Sequence, residues 1–394
     1  MSAQSRKSGK WVVLAVSFLL MFTFAISLQA LPPLFAWLRQ EIAFSDSQAG
    51  TLMGAYAIPG ILLPFLVAVL ARRFKQKTLL LAALLLMGVG LTAFSLVNSF
   101  PLLLLCRVLA GSGATVLLVL APLLVTQTFA QQELGMAMGI FNMAVPLGTV
   151  VAANLFGALG PLFAWRLLIL GIAVWVGIVF ILCSLALPAA AAAEVPEEEA
   201  AAPAAGPAFN LSLGLLAFVW ALANLQMIAY VTFAPQFFQT AGLTGARAAL
   251  LASFIMLVPV FLSALAGMIL DKTGRKKELL LAGTLLMAAA FVCFGQNLSG
   301  LAAWALLLGI GFTPIAVVVF ALLPEVVLPP QVGFGLAVLT AAANVGLTVG
   351  PAAFGWLLDV TKRNFAVGFM ALAVVSLVIT LLTAGLKTKR SLEK

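Results

Sequence analysis

The chain has 394 residues, of which 64% are hydrophobic and only 8% charged, too little charge to cover a water-exposed surface, so a soluble globular domain is excluded. Its formal net charge of +9 does not mark a nucleic-acid binder, because Lys and Arg are scattered over short loops and tails rather than gathered along one face. The chain lacks histidine, and Cys106, Cys183 and Cys293 all sit inside apolar runs without CxxC spacing, so no metal site, disulfide framework, cofactor or histidine-based catalytic centre is expected.

Apolar runs separated by helix breakers give twelve expected membrane-spanning helices. After Arg6, Lys7 and Lys10 comes an apolar run of about twenty residues, longer than a signal-peptide core; it reads as an uncleaved first span at 11–31. Pro32 and Pro33 are expected to end it. Further spans follow at 49–71, 78–98, 101–127, 136–159 and 164–187. Residues 188–208 are rich in Ala, Pro and Glu without apolar periodicity and read as a disordered tether. A second series runs at 209–234, 247–270, 278–296, 300–323, 333–357 and 365–386, with Pro329 and Pro330 breaking between its fourth and fifth members. The expected organisation is an all-α membrane protein with an N-terminal six-helix bundle (1–187), a cytoplasmic linker (188–208) and a C-terminal six-helix bundle (209–394).

Orientation follows from the loops. Fifteen basic residues fall on one side: Arg6, Lys7, Lys10, Arg72, Arg73, Lys75, Lys77, Lys272, Arg275, Lys276, Lys277, Lys387, Lys389, Arg390 and Lys394. The other side has five, Arg39, Arg166, Arg247, Lys362 and Arg363. Both termini are therefore expected in the cytoplasm. The two series also repeat: Gly111, Gly135, Gly148 and Gly157 recur 198 residues later as Gly309, Gly333, Gly346 and Gly355.

Arg107 is the one charged residue well inside a span, about 10 Å from the nearer end of the fourth helix by helical rise. A buried arginine needs partners, and two roles stay open: contact with a solute, or bonding to backbone carbonyls of the first helix. Its counterpart in the second series is Ala305. The other interior polar residues are neutral. Thr340, Asn344 and Thr348 fall at i, i+4 and i+8 on the eleventh helix; Gln226 and Tyr230 share a face of the seventh, near Asn224; Thr149 and Tyr56 lie on the fifth and second. Singly, each such residue suits an interhelical hydrogen bond. Together, Arg107, Tyr56, Thr149, Asn224, Gln226, Tyr230, Asn344 and Thr348 read as the lining of a polar cavity. No Asp, Glu or His lies inside any span, so a proton relay of the usual kind is not expected.

Gly267–Lys277 reads GMILDKTGRKK, with Asp271 at a helix C-terminus and basic residues at the next N-terminus, against the helix dipoles. This Gly-x-x-x-Asp-x-x-Gly-Arg-Lys-Lys stretch resembles the loop motif between the second and third helices of each half in the major facilitator superfamily. Arg107-Val-Leu-Ala-Gly-Ser-Gly-Ala-Thr115 is similar to that superfamily's fourth-helix motif. The resemblance implies parallel six-helix halves, a solute site near mid-membrane, alternating access, and a cytoplasmic latch involving Gly267, Asp271, Gly274 and Arg275. Glu325 is the candidate partner of Arg275. The first-half copy has Ala68, Arg72, Lys75 and Gln76 where the motif has Gly, Asp, Gly and Arg. A charge-reversed latch is therefore expected there, Glu133 meeting Arg72 or Arg73. Leu31-Pro32-Pro33-Leu34 and Ser47-Gln48-Ala49-Gly50 loosely resemble cyanate and nitrate/nitrite-like permeases, although the second-half cavity arginine of nitrate carriers is absent.

The sequence is thus expected to encode a monomeric, non-enzymatic secondary transporter of the bacterial cytoplasmic membrane. Its cargo is expected to be a small anion, a monocarboxylate or oxyanion, with or without a co-transported proton or counter-solute. The alternatives are an exporter of hydrophobic compounds and a facilitative carrier of a neutral solute.

Overall fold

A computed structural model describes residues 3–187, 210–296, 299–328 and 331–385, omitting the side chains of residues 3–8, Ala68, Arg72, Gln131, Gln132 and Asp271. The expected linker at 188–208, Pro329, Pro330 and the C-terminal basic residues lie outside the described residues. Among the described residues the regular secondary structure is all helical, and twelve stretches are long and apolar enough to cross a membrane.

Fifteen helices make up these spans: α1 (Ala3–Gln29), α2 (Leu31–Glu41), α3 (Asp46–Gly54), α4 (Pro59–Arg73), α5 (Gln76–Leu96), α6 (Phe100–Thr128), α7 (Gln131–Asn142), α8 (Ala144–Leu159), α9 (Trp165–Ala186), α10 (Leu211–Thr240), α11 (Gly245–Thr273), α12 (Lys276–Gly295), α13 (Leu301–Val326), α14 (Val332–Val360) and α15 (Phe365–Gly385). Three spans are built from two helices each: α1 with α2, α3 with α4, and α7 with α8.

The first span corrects one expectation. Pro32 and Pro33 do not end it, because α2 carries them in its first turn and continues to Glu41. The first-turn N–H groups have no intrahelical acceptor, so proline forfeits nothing there and supplies a helical φ. In the second span Pro59 acts the same way. It opens α4 after a turn at 55–58 that separates α4 from α3.

The chain divides into two compact units. Unit 1 comprises Met1–Phe44 and Ala55–Val195; unit 2 comprises Pro196–Lys394 together with the short stretch Ser45–Gly54. In unit 1, α6 packs on α5, α1 and α4, while α1 also meets α8 and α9. In unit 2, α10 packs along α14, α12 lies between α13 and α15, and α3 lies on α14.

Close helix approach depends on small residues, since hydrocarbon offers no hydrophobic drive to pack helices. A Cβ on Gly113 would overlap the Ala83 carbonyl oxygen across the α5–α6 seam, and one on Gly346 would overlap that of Ala221 across α10–α14. Unit 2 adds an aromatic block: Tyr230, Phe237, Phe238, Phe291, Phe294 and Phe369 pack ring against ring with centroids 4.7 to 6.5 Å apart.

Candidate functional site

The Arg107 site begins with the first span's prolines. Pro32 and Pro33 have no N–H for the carbonyls of Leu28 and Gln29, so the α1–α2 junction presents acceptors short of their helical donor. Arg107, only 2% exposed, supplies one replacement: Nη2 donates to the Leu28 carbonyl at 3.2 Å, and Nη1 to that of Ser27 at 2.8 Å. Its guanidinium carbon stands 4.4 Å from the centre of the Tyr56 ring. Phe24 also packs against the Tyr56 ring, at 6.1 Å between centroids. Tyr56 occupies the α3–α4 turn, where Gly111 of α6 lets its carbonyl come close enough that any Cβ would overlap it. Of the two roles open for Arg107, the contacts are those of backbone bonding.

Most of the other expected cavity residues are also engaged within their own units. Gln226 is fully buried and donates to the Leu372 carbonyl and the Ser376 hydroxyl of α15, each at 2.7 Å. Tyr230 is fully buried in the aromatic block, with a long 3.4 Å bond from its hydroxyl to the Leu251 carbonyl. Asn224 and Asn344 donate to carbonyls one turn back, those of Trp220 and Thr340. Thr149 is buried on α8, beside the Gly148 seam with α1. Thr348 has a buried hydroxyl without a hydrogen-bond partner. Within unit 1 the structure joins Arg107 and Tyr56; within unit 2 Gln226 and Tyr230 share α10, and Asn344 and Thr348 share α14.

At the loops, two carboxylates pair with lysines. Glu133, in the first turn of α7, binds Lys10 of α1 through both carboxylate oxygens at 2.6 and 2.7 Å; of the partners expected from sequence, Arg72 and Arg73, the Arg72 side chain lies outside the description. Lys10 is delivered there because α1 runs past the start of α7, and its ammonium also lies 5.6 Å from the Phe129 ring. Glu325, at the end of α13, pairs with Lys276 at 2.6 Å rather than with Arg275. Arg275 is the non-helical residue before α12, whereas Lys276 is the first helical one and also donates to the Ala321 carbonyl at 2.8 Å. Arg72 and Asp271 have no described side chain. Gly274 has a clear local reason: it closes α11 with φ of 62° and donates its N–H to Leu270, a left-handed cap suited to glycine. Gly267 faces open space.

The structure also builds a polar cluster that sequence reading missed. Arg363 reaches the carboxylate of Asp46, and Asp359 accepts the N–H groups of Asp46 and Ser47. The available signal was weak: an acid at a helix start, and Asp359 four residues before Arg363.

The family model for the Major Facilitator Superfamily matches residues 17–260 and 216–393. Two Bacillus subtilis proteins, the uncharacterized MFS-type transporters YcnB and YhcA, are 25% identical over 156 residues and 28% identical over 119. These alignments cover 39% and 30% of this chain but 32% and 22% of the relatives, so the chain spans about a third or less of the curated relatives it matches. Among solved structures, a mutant of the nucleoside transporter NupG matches with a TM-score of 0.80 at 12% identity, over 96% of this chain and 99% of that one. A bacterial homologue of the human lysosomal transporter Spinster, inward-facing and unoccupied, matches with a TM-score of 0.77 at 17% identity, over 98% and 97%. At such identities the likeness is one of fold.

Proposed function

This chain belongs to the Major Facilitator Superfamily, and from that premise we propose that it is a secondary transporter moving a small anion across the bacterial cytoplasmic membrane by alternating access. Both termini face the cytoplasm in this reading. The observation that carries the anion is Arg107, the one charge deep within a span, whereas the acids Asp46, Glu133, Glu278, Glu325 and Asp359 lie near the ends of theirs. Two backbone carbonyls and a tyrosine ring hold the guanidinium.

Arg107 acts in this reading through its field. A unit charge about 8 Å away at an effective dielectric of about 20 contributes about 2 kcal/mol, enough to favour an anion over a cation more than a thousandfold when the sign of the interaction reverses. A monocarboxylate or inorganic oxyanion suits a path with few free polar side chains. Transport is either facilitated or coupled to a proton or counter-solute that travels with the anion.

A neutral-solute carrier is the second reading, favoured by the internal bonding of Gln226, Asn224 and Asn344, which leaves few side-chain donors for an anion. A thermal-shift screen of the purified protein across carboxylates, oxyanions, amino acids, nucleosides and lipophilic compounds separates the two. Stabilisation by small anions supports the first; stabilisation by neutral solutes alone discards it.

A further inference from the structure

The glycines of α5 and α9 do not all serve close packing. Gly90 of α5 does, since a Cβ there would overlap the backbone of Cys106 and Ala110 on α6. Gly88 and Gly177 do not. A Cβ on Gly88 would meet only Val176 Cγ1, at an ordinary 3.6 Å, and one on Gly177 would meet nothing within 4 Å. Here, within unit 1, the seam of α5 and α9 opens into a trough of about 490 Å³, its lining including Leu84, Gly88 and Leu96 of α5 and Ala173, Gly177 and Phe180 of α9.

Unit 2 carries a bulkier residue at the matching place. Ala83 and Met87 meet Gly113 as Gly283 and Met287 meet Gly311, so α5 recurs in α12 at an offset of 200 residues. Buried Trp165, Leu168, Ile169 and Ile172 of α9 recur at the same offset as buried Phe365, Gly368, Phe369 and Leu372 of α15. Gly177 then corresponds to Leu377. The fold itself therefore does not demand glycine at 177.

The trough lies along two membrane-crossing stretches, Gln76–Leu96 and Trp165–Ala186, so it opens onto hydrocarbon. From Leu84 to Leu96 it follows α5 for about 18 Å by helical rise, close to the depth of one leaflet, about 15 Å. Its Leu96 end is also the end of α5, three crossings from the N-terminus. Apolar walls without neighbours forfeit dispersion contacts, and within lipid it is such packing that holds an apolar partner.

Charge marks the same end. Arg166, in the first turn of α9, donates through Nη1 to the carbonyls of Ser95 and Val97, the two residues flanking Leu96, at 2.9 and 3.1 Å. Its Nε and Nη2 meet Glu41 Oε2 at 3.0 and 2.9 Å. The two side chains are 27% and 46% exposed. Opposite charges side by side suit a headgroup that carries both, its phosphate toward Arg166 and its ammonium toward Glu41. A headgroup with net negative charge gains less, because the Glu41 carboxylate opposes it.

We propose that the trough is a binding site for one phospholipid with a zwitterionic headgroup, in the leaflet opposite the N-terminus. One acyl chain lies along Gly88 and Gly177, and the headgroup rests on the Glu41–Arg166 pair. The lipid completes the packing of α5 on α9 and is held more tightly than the surrounding bilayer.

The test needs no knowledge of the transported solute. Full-length protein purified in detergent is titrated with dioleoyl-phosphatidylethanolamine or dioleoyl-phosphatidylglycerol and read by native mass spectrometry. The parent is expected to retain one phosphatidylethanolamine per chain in preference to phosphatidylglycerol. Gly177→Leu, which places in unit 1 the residue that unit 2 carries, should lower that bound fraction about tenfold. Gly171→Leu, on the exposed face of α9 outside the trough, should leave it unchanged. Glu41→Gln should turn the preference toward phosphatidylglycerol. Undiminished retention in the Gly177→Leu protein would overturn the site. So would a dimer that this substitution dissociates without changing the bound lipid, since the trough would then belong to a second copy. A parent-only measurement stands beside these: dihexanoyl-phosphatidylethanolamine, with chains too short to fill the trough, should be retained far less than the dioleoyl form. Equal retention of the two would overturn the proposal whether or not the variants fold.

Discussion

The guanidinium of Arg107 lies 4.4 Å from the centre of the Tyr56 ring while donating to the Ser27 and Leu28 carbonyls. One side chain of α6 therefore ties the first span, at its proline junction, to the turn within the second. Arg107→Ala removes donors from buried carbonyls and is expected to cost about 1–3 kcal/mol. Lysine cannot fork between two carbonyls and stack on a ring, so Arg107→Lys should recover little of that loss. Thermal unfolding of the purified variants measures both.

Tyr56 offers a finer division of the same cluster. Tyr56→Phe keeps the ring beneath the guanidinium and should melt near the parent, within about 0.5 kcal/mol. Tyr56→Ala loses a desolvated cation–π contact as well as packing and should fall by about 2 kcal/mol or more. Equal melting of the two variants would show that the ring face contributes nothing.

Tyr230 packs within the aromatic block of unit 2. Tyr230→Phe loses only a long 3.4 Å bond and should leave both stability and flux close to the parent, whereas Tyr230→Ala opens the aromatic block at a cost of about 3–5 kcal/mol. A marked loss of flux in a well-folded Tyr230→Phe protein would restore it as a solute contact.

Much of the fold was legible in the sequence, and the reason is physical. A membrane obliges each crossing stretch to be a long apolar helix, so the spans appear as composition alone. Side-chain partnerships were less legible because they depend on rotation about each helix. Lys276 and Arg275 are one residue apart, yet only Lys276 is helical, and Glu325 takes it. Glu133 stands in the first turn of α7, but its partner Lys10 is 123 residues away, on a helix whose packing against α7 no local pattern reveals. Gln226 and Asn344 were correctly seen as interior, while their bonds to backbone carbonyls were invisible to spacing.

The Lys10–Glu133 pair makes a discriminating swap. Its side chains are 16% and 42% exposed, so the pair contributes about 0.2–1 kcal/mol and Glu133→Gln should hardly change melting. Glu133→Arg sets two cations together and should impair the protein. Adding Lys10→Glu is expected to rescue it, and adding Arg73→Glu is not. Rescue by Arg73→Glu instead would return the latch to the partner suggested by sequence.

The measurement that bears most directly on the proposed function is counterflow in proteoliposomes loaded with an unlabelled small carboxylate or oxyanion and diluted into its radiolabelled form. A carrier that alternates access to an anion should show a transient overshoot of label, saturable in the external anion, sharply reduced in Arg107→Ala and not restored by Arg107→Lys. Flux that rises linearly without saturation, or overshoot seen only with neutral solutes and indifferent to Arg107, would contradict it.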